Sequence, residues 1–362
     1  MKIWLNGSIV DGGEAVISVY DHGFLYGLGL FETFRTYGGK PYLLERHLDR
    51  LCSGCMELGI PFAMKADELR REITALLVAN GLADGYIRLT VSAGVGELGL
   101  PAGDYNAPTV LILAKSLPPA GADALRRGRE LRLLRTRRNS PEGTVRFKSL
   151  HYMNNIIAKR EMLGLMQERE PQSFHLQQQV VQQPEGPSND QKWHRPDQVQ
   201  ESGNERSAVS GLGQEQSNEQ SLVSGRDRTV HVASLPSPGA EGLMLSRDGW
   251  LTEGIVSNLF FLRQGVIYTP CIETGILPGV TRARVIELAR DTGYEVEEGL
   301  YTWEQLLEAE EVWLTNSIQE LVPVTRLSDW DGLERKVGIG EAGALTLELL
   351  DMYRSDTEAA TL

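Results

Sequence analysis

The sequence predicts an α/β (α+β) chain with two domains. Short segments of alternating apolar residues indicate strands, amphipathic helical patterns lie between them, and a Pro- and Gly-containing stretch divides the chain near residue 118. With 362 residues and 41% hydrophobic content, the chain can fill two separate cores. We expect an N-terminal α/β domain over 1–117, a linker at 118–122, a larger domain over 123–340, and a C-terminal helix and tail at 341–362.

The first domain is expected to open with a hairpin and to place two helices beside a sheet. Asn6-Gly7 provides the turn of the opening hairpin, and Gly38-Gly39 joins two later strands. The expected elements are a hairpin at about 2–10, strands near 31–37, 40–44, 86–93 and 109–115, and helices near 45–58 and 67–79.

The second domain is expected to begin after Leu117-Pro118-Pro119-Ala120-Gly121. Its expected elements are strands near 131–135, 242–246, 256–262, 266–268, 294–297 and 311–315, a helix after Lys148 and a helix over 281–291. This domain is interrupted by a segment at 170–235 that is rich in Gln, Ser, Asn and Glu and poor in bulky apolar residues. Such a composition does not offset the entropy lost on ordering, so it predicts a disordered insertion.

A lysine and a glutamate are the first candidates for chemistry. Lys148 precedes an amphipathic helix, and Glu253 stands at a step from strand to turn about a hundred residues later. A lysine that can form a Schiff base, with an acid that can face a pyridinium nitrogen, is the pair that pyridoxal phosphate chemistry requires. Taken singly, each residue is more typical of a solvated helix start or a turn.

A third element predicts an anion site. The run Gly275-Ile276-Leu277-Pro278-Gly279-Val280-Thr281-Arg282 leads into a helix, with Thr281 as the expected N-cap. The free N–H groups and the dipole at a helix N-terminus favour a bound phosphate.

Together these motifs resemble the fold-type IV pyridoxal-phosphate enzymes, the class IV aminotransferase family. The likeness covers residues 1 to about 167 and about 238 to 328. Besides the three runs above, the motifs are Tyr26-Gly27-Leu28-Gly29-Leu30-Phe31-Glu32-Thr33 and Glu45-Arg46-His47-Leu48-Asp49-Arg50-Leu51. The resemblance implies a small N-terminal α/β domain, a larger barrel-like C-terminal domain, the cofactor between them, and a homodimer.

The resemblance also implies roles for particular residues. Lys148 would form the Schiff base and move the proton in catalysis, and Glu253 would contact the pyridine nitrogen of pyridoxal 5'-phosphate. Residues around the phosphate would be Arg50, Val280, Thr281, Asn316 and Ser317. A guanidinium suits phosphate oxygens, although a solvated helix face is the alternative for Arg50.

Within this family, the amino-acid sequences around Lys148 and Glu253 most resemble those of the 4-amino-4-deoxychorismate lyases of folate biosynthesis. The Arg and His that bind the carboxylate in D-amino acid transaminases are absent from Ser92–Pro101. The alternatives are a D-amino acid or branched-chain aminotransferase, or a non-catalytic binding protein on the same fold. Retention of Lys148, Glu253 and the 279–282 turn argues against the last.

The net charge and the composition of the chain exclude several classes of partner and cofactor. A net charge of −13 and a pI near 5.1 argue against nucleic-acid and anionic-membrane partners, so we expect a small-molecule substrate. No apolar run approaches a membrane span and the first residues lack a signal-peptide core, which predicts a cytoplasmic enzyme. Three cysteines cannot form a disulfide framework or a four-cysteine zinc site, and the six histidines show no metal-ligand spacing, so no metal site is expected.

Overall fold

Two β-sheets of different shape organise the chain. The computed structural model describes residues 1–117, 122–164, 237 and 239–360. Both the predicted insertion at 170–235 and most of the predicted 118–122 linker lie outside these residues. The first sheet ends at Lys115 and the second begins at Arg129, on either side of that linker.

The first sheet has six strands, and all its pairings are antiparallel. Its strands are β1 (Lys2–Leu5), β2 (Ser8–Asp11), β3 (Gly29–Tyr37), β4 (Lys40–Pro41), β5 (Tyr86–Ser92) and β6 (Thr109–Lys115), in the order β2-β1-β6-β5-β3-β4. Its helices are α1 (His22–Tyr26), α2 (Leu44–Glu57) and α3 (Ala66–Ala79). The predicted Asn-Gly hairpin joins β1 to β2, with φ of 47° at Asn6 and 94° at Gly7.

Alternation along the central strands gives the first sheet two different faces. On one face, Leu30, Phe34, Ile87 and Leu89 pack into a core with apolar side chains of α2 and α3. The other face carries the intervening residues of β3 and β5, namely Phe31, Thr33, Tyr86 and Arg88. Because side chains in a strand alternate between faces, the residues that line a site and those that fill the core come from the same two strands.

The second sheet closes into a barrel. Its strands are β7 (Arg129–Leu133), β8 (Glu241–Leu245), β9 (Leu251–Gly254), β10 (Asn258–Arg263), β11 (Val266–Pro270), β12 (Val296–Gly299), β13 (Glu311–Asn316), β14 (Glu320–Ser328) and β15 (Glu334–Lys336). Strands β10-β13-β14-β7-β8-β9 form a ring that the pairing of Glu253 with Asn258 completes. Strands β7 and β8 are parallel neighbours, whereas β8 and β9 are antiparallel. The barrel-like C-terminal region expected from the sequence is therefore confirmed.

Apolar side chains from all six barrel strands belong to one buried cluster, typical of a small barrel filled by its own side chains. The helices that accompany this sheet are α4 (Ala122–Arg127), α5 (Met153–Met162), α6 (Val280–Asp291), α7 (Trp303–Leu307) and α8 (Ala344–Ala359), with a short 3₁₀ helix at Ile272–Thr274. In the part of the chain that the structure describes, no helix is both long and apolar enough to cross a bilayer.

Ion pairs connect α2 to the helices of the barrel region. Arg46 of α2 forms a two-point contact with Glu287 of α6, at 2.6 and 2.9 Å. Arg284 of α6 forms another with Asp356 of α8, at 2.8 and 2.7 Å, and Tyr42 donates to the same carboxylate. These contacts join segments that are far apart in sequence.

Two local predictions differ from the structure. The strand expected near 40–44 ends at Pro41, because Leu43 adopts a left-handed backbone (φ 52°) and α2 begins at Leu44. The structure also contains a nine-residue strand, β14, that the sequence pattern does not predict. Eight of its nine residues are buried, so the period of two is missing, and Pro323 within it argues against a central strand.

Candidate active site

A cavity of about 330 Å³ lies between the first sheet and one end of the barrel. The face of the sheet that borders the cavity is the one opposite the apolar core. All seven residues proposed from the sequence line the cavity: Arg50, Lys148, Glu253, Val280, Thr281, Asn316 and Ser317. The structure thus brings together residues that are up to 267 positions apart in sequence. Phe31, Thr33, Tyr86 and Arg88 form the wall contributed by β3 and β5.

Lys148 is positioned by backbone pairing with the start of β3. Its carbonyl accepts a hydrogen bond from Phe31 N at 2.8 Å, and Leu150 N donates to Gly29 O at 2.9 Å. The side chain extends to the Phe31 ring, with Nζ 4.9 Å from the ring centroid. Burial, followed by the nearby Arg50 guanidinium, lowers the pKa of Lys148 to about 8. Near neutral pH the amine is therefore far more often unprotonated than that of an exposed lysine.

Arg50 is held by a buried carboxylate and is not a solvated residue. Its Nε and Nη2 each lie 2.7 Å from an oxygen of Glu32, and Nη1 donates to Pro278 O at 2.6 Å. His47 donates to the same carboxylate at 2.7 Å. Burial opposes ionisation of Glu32, but Arg50 and His47 outweigh it and lower its pKa to about 2. Arg50 is therefore a fixed cation at the cavity. Three of its five N–H groups donate to Glu32 and Pro278, and the other two take no part in these contacts.

Glu253 is a buried carboxylate at the end of β9 with three fixed donors. Arg138 Nε donates to Oε1 at 2.8 Å, while Asn258 Nδ2 and Leu277 N donate to Oε2 at 3.2 and 3.0 Å. An ionised carboxylate has about four acceptor positions, so the side chain can accept one more donor from the cavity. This is the property required of a group that faces a protonated pyridine nitrogen.

The expected anion site begins with a glycine. Gly279 is the N-cap of α6, with extended backbone (φ −69°, ψ 131°) and no side-chain cap. The prediction that Thr281 is the N-cap is wrong, since Thr281 lies inside the first turn and its hydroxyl is 3.0 Å from that of Ser317. A Cβ at Gly279 would lie 1.9 Å from Asn258 Oδ1, so a side-chain cap cannot occupy this position. The first N–H groups of the helix have no intrahelical acceptor.

The loop between β13 and β14 forms the other side of this anion site. Asn316 Oδ1 accepts from Ile318 N and Gln319 N, at 3.0 and 2.8 Å, and so shapes the loop. The hydroxyl of Thr315 is buried, belongs to a residue that lines the cavity, and has no hydrogen-bond partner in the described part of the chain. A buried hydroxyl without a partner is costly unless a ligand supplies one.

These groups fit pyridoxal 5'-phosphate. The amine of Lys148 could bond to its aldehyde carbon, and the unfilled acceptor position of Glu253 suits its ring nitrogen. The N-terminus of α6, the Thr315 hydroxyl and the remaining Arg50 donors suit its phosphate. A phosphate oxygen in this position would also supply the partner that the Thr315 hydroxyl lacks.

Several residues of the site have no local sequence signal. Arg138 holds Glu253, and Arg146 donates to Gly275 O at 2.5 Å; both are buried and line the cavity. Burial lowers the pKa of Arg146 to about 10. Arg88 lies over the Phe31 ring, with Cζ 3.6 Å from the centroid. Unlike Arg138 and Arg146, Arg88 had a usable signal in the sequence, because it alternates with the apolar Ile87 and Leu89 on β5.

The Ser92–Pro101 loop packs away from the cavity. His22 bonds to Glu97 O at 2.8 Å and the Tyr26 hydroxyl accepts from Gly99 N at 2.8 Å, which fixes the loop against α1. Within the described residues, no residue of this loop lines the cavity. His151 does line it, and its Nε2 lies 3.1 Å from Tyr26 O.

Comparisons with known proteins agree with this geometry. The family model for amino-transferase class IV matches residues 29–165 and 237–327. Aminodeoxychorismate lyase of Bacillus subtilis is 35% identical over 329 residues, which cover 90% of this chain and 87% of that protein. A putative branched-chain-amino-acid aminotransferase of Methanocaldococcus jannaschii is 29% identical over 357 residues, covering 98% of this chain and 96% of its own length.

Solved structures give the same result. A branched-chain amino acid aminotransferase from T.th. with pyridoxamine 5'-phosphate has a TM-score of 0.70 at 26% identity, covering 98% of this chain and 93% of that one. The 4-amino-4-deoxychorismate lyase of Pseudomonas aeruginosa has a TM-score of 0.67 at 25% identity, covering 98% of both chains. This chain therefore belongs to the class IV aminotransferase family and is a pyridoxal-phosphate enzyme.

Proposed function

We propose that this enzyme is a lyase that converts 4-amino-4-deoxychorismate to 4-aminobenzoate and pyruvate, a step of folate biosynthesis. The observation that carries the proposal is the 35% identity to the aminodeoxychorismate lyase of Bacillus subtilis over 90% of this chain. The placement of Lys148 and Arg88 at one aromatic ring is compatible with it. Lys148 Nζ and Arg88 Cζ lie 4.9 and 3.6 Å from the centroid of Phe31. A substrate whose amine reaches the Lys148 position can therefore present a carboxylate to Arg88.

The charge of the cavity supports a substrate with more than one carboxylate. Arg88, Arg138, Arg146 and Lys148 line it together with Arg50, whereas Glu253 is the carboxylate among the lining residues. Aminodeoxychorismate carries one carboxylate on its ring and a second on its enolpyruvyl group. After a cofactor phosphate is bound, Arg88 still offers a guanidinium at the opposite wall, and this suits a carboxylate.

The proposed chemistry assigns separate tasks to the two central residues. Pyridoxal phosphate supplies an aldehyde that captures the substrate amine and a ring that withdraws electrons from the neighbouring carbon. The amine of Lys148 would take the proton from C4 of the substrate, and its lowered pKa suits this transfer. Glu253 holds a proton on the ring nitrogen. Cleavage of the C3–O bond then releases enolpyruvate, which becomes pyruvate on protonation, and leaves an aromatic ring.

An aminotransferase acting on D-amino acids or branched-chain amino acids is the second candidate. The Methanocaldococcus jannaschii and T.th. relatives favour it, because both are named as branched-chain aminotransferases. Arg88 could hold an α-carboxylate equally well. The position of the Ser92–Pro101 loop argues against a carboxylate trap built from that loop within one chain.

We also propose that the enzyme is a cytoplasmic homodimer. The resemblance to the family implies a dimer, and the acidic composition supports the location. Residues 20–26 and 94–100 lie side by side through the pairing of Asp21 with Val95. They expose apolar side chains: Phe24, Leu98 and Leu100 are 70%, 73% and 93% exposed. Such patches on a folded protein are typical of subunit interfaces.

Sedimentation velocity tests the dimer. We expect a particle of about twice the 40.1 kDa chain mass at micromolar concentration. Replacing Leu98 and Leu100 together by glutamate should shift the particle to the mass of one chain, because charges would enter an apolar contact. A wild-type protein that sediments as one chain at all concentrations would contradict the proposal.

Lys148→Ala should leave a folded protein and lower turnover at least about a thousandfold, because the residue is both cofactor anchor and proton carrier. The matched control is Lys159→Ala, since Lys159 is an exposed residue of α5 and should be dispensable. Borohydride reduction of the wild-type protein followed by peptide mapping should place the pyridoxyl group on Lys148. Its recovery on any other lysine would contradict the assignment.

Glu253→Gln should retain the cofactor and lower kcat by several tens-fold, about 2 kcal/mol for one charge-assisted hydrogen bond. An amide can still bond to the ring nitrogen, but it stabilises the protonated form poorly. The exposed Glu295→Gln serves as control, and thermal unfolding of each variant separates lost chemistry from lost stability. Wild-type turnover in Glu253→Gln would reduce this residue to a structural role.

Steady-state assays decide between lyase and transaminase. We expect 4-amino-4-deoxychorismate to yield equal amounts of 4-aminobenzoate and pyruvate without a keto acid, because elimination returns the cofactor to its aldehyde form. D-Alanine or a branched-chain amino acid, each with 2-oxoglutarate, should react with lower kcat/KM. The lyase proposal fails if either pair is much the faster, or if aminodeoxychorismate turns over only when a keto acid is added.

A further inference from the structure

Glu320 has a backbone conformation that usually belongs to glycine. It follows the loop Ser317-Ile318-Gln319 between β13 and β14, pairs with Asn316 across the hairpin, and has a φ of 62°. In three-residue hairpin loops, the residue after the turn is commonly left-handed, and glycine adopts this conformation without strain. A glutamate that keeps a strained conformation points to a function of its side chain.

The carboxylate of Glu320 is buried and bonded to two other elements. Its Oε1 accepts from the Tyr37 hydroxyl at 2.8 Å and from Arg35 Nη1 at 3.3 Å, both on β3. Its Oε2 accepts from Arg354 Nε on α8, at 2.8 Å. The residue is 5% exposed. A buried carboxylate is tolerated only when it is paired, so these donors and Glu320 hold one another in place.

The same contacts tie the loop to the opposite wall of the cavity. Arg35 Nη1 also approaches Ile318 O at 3.4 Å. Phe31 and Thr33, which line the cavity, lie on the same face of β3 as Arg35 and Tyr37. Strand β3, which forms one wall of the cavity, therefore also carries the two residues, Arg35 and Tyr37, that hold the loop in place.

That loop helps to form the anion site. Ser317 bonds to Thr281 in the first turn of α6, and residues 316–319 all line the cavity. If the loop were free to move, the Thr315 hydroxyl, Ser317 and the helix N-terminus would no longer be held around one point. Preorganised donors bind an anion more tightly than mobile donors, because no ordering cost is added on binding.

We propose that Glu320 is a positioning residue that fixes the 316–319 loop for the cofactor phosphate, through Arg35, Tyr37 and Arg354. This inference rests on the proposed assignment of the loop to the phosphate. Glu320 itself is not among the residues that line the cavity. Its effect should therefore appear in the affinity for a phosphorylated ligand, and it should be absent from the affinity for the same ligand without phosphate.

The experiment compares pyridoxal 5'-phosphate with pyridoxal on the apo-protein, by absorbance titration. Glu320→Gly relieves the backbone strain and removes the carboxylate, while Glu320→Gln keeps the shape and removes the charge. Gln264→Gly is the matched control, since Gln264 is left-handed (φ 52°), exposed, and located in the β10–β11 turn. Thermal unfolding is measured for all three variants.

We expect Glu320→Gly to raise the Kd for pyridoxal 5'-phosphate by about tenfold or more, as expected when charge-assisted hydrogen bonds to the loop are lost. Glu320→Gln should give a smaller increase of the same kind. The Kd for pyridoxal should change by less than about twofold in both, and Gln264→Gly should leave both constants near wild type.

Three results would overturn the inference. Equal losses of affinity for pyridoxal and pyridoxal 5'-phosphate in the Glu320 variants, or no loss in either, would show that Glu320 does not position a phosphate site. A wild-type protein that does not distinguish the two ligands would instead refute the assignment of the loop to the phosphate, and the inference with it. Because Glu320→Gln preserves side-chain volume, the test remains decisive if the glycine variant fails to fold.

Discussion

The pairing of buried Glu253 with Arg138 is the interaction on which the rest of the site depends. Glu253 is 5% exposed, and a buried carboxylate is tolerated only when it is paired and hydrogen-bonded. Arg138 is itself held by Asn154, at 2.9 Å, on the helix that follows Lys148. One ion pair thus connects strand β9, which closes the barrel, to the segment that carries Lys148.

The cations around Lys148 are arranged so that each has a defined partner or task. Arg50 is neutralised by Glu32, Arg138 by Glu253, and Arg88 rests on Phe31. Burial is the main cause of the lowered pKa of Lys148, and the positive charge of nearby Arg50 adds to it. A bound phosphate and a substrate carboxylate would neutralise the remaining positive charge. The site therefore favours anionic ligands before any specific contact is made.

The sequence revealed the residues whose signals are local, and missed those whose partners are distant. Lys148, Glu253 and the Gly279–Arg282 turn could be found because strand ends, turns and helix starts have short signatures. Arg138 could not, since its partner lies 115 residues away. Strand β14 lacks alternation because it is buried throughout, and its proline argued against it. Thr281 was misplaced as an N-cap because the steric demand at Gly279 comes from Asn258, which no local pattern shows.

The parallel pairing of β7 with β8 has a consequence for how this chain can vary in length. Parallel neighbours cannot be joined by a tight turn, so the chain must leave the barrel after Leu133 and return before Glu241. The entropy of closing such an excursion grows only with the logarithm of its length. Most other connections between successive barrel strands are hairpins, where extra residues would alter register. This crossover can therefore lengthen with little penalty to the barrel, and it contains residues 166–236, which the family model leaves unmatched.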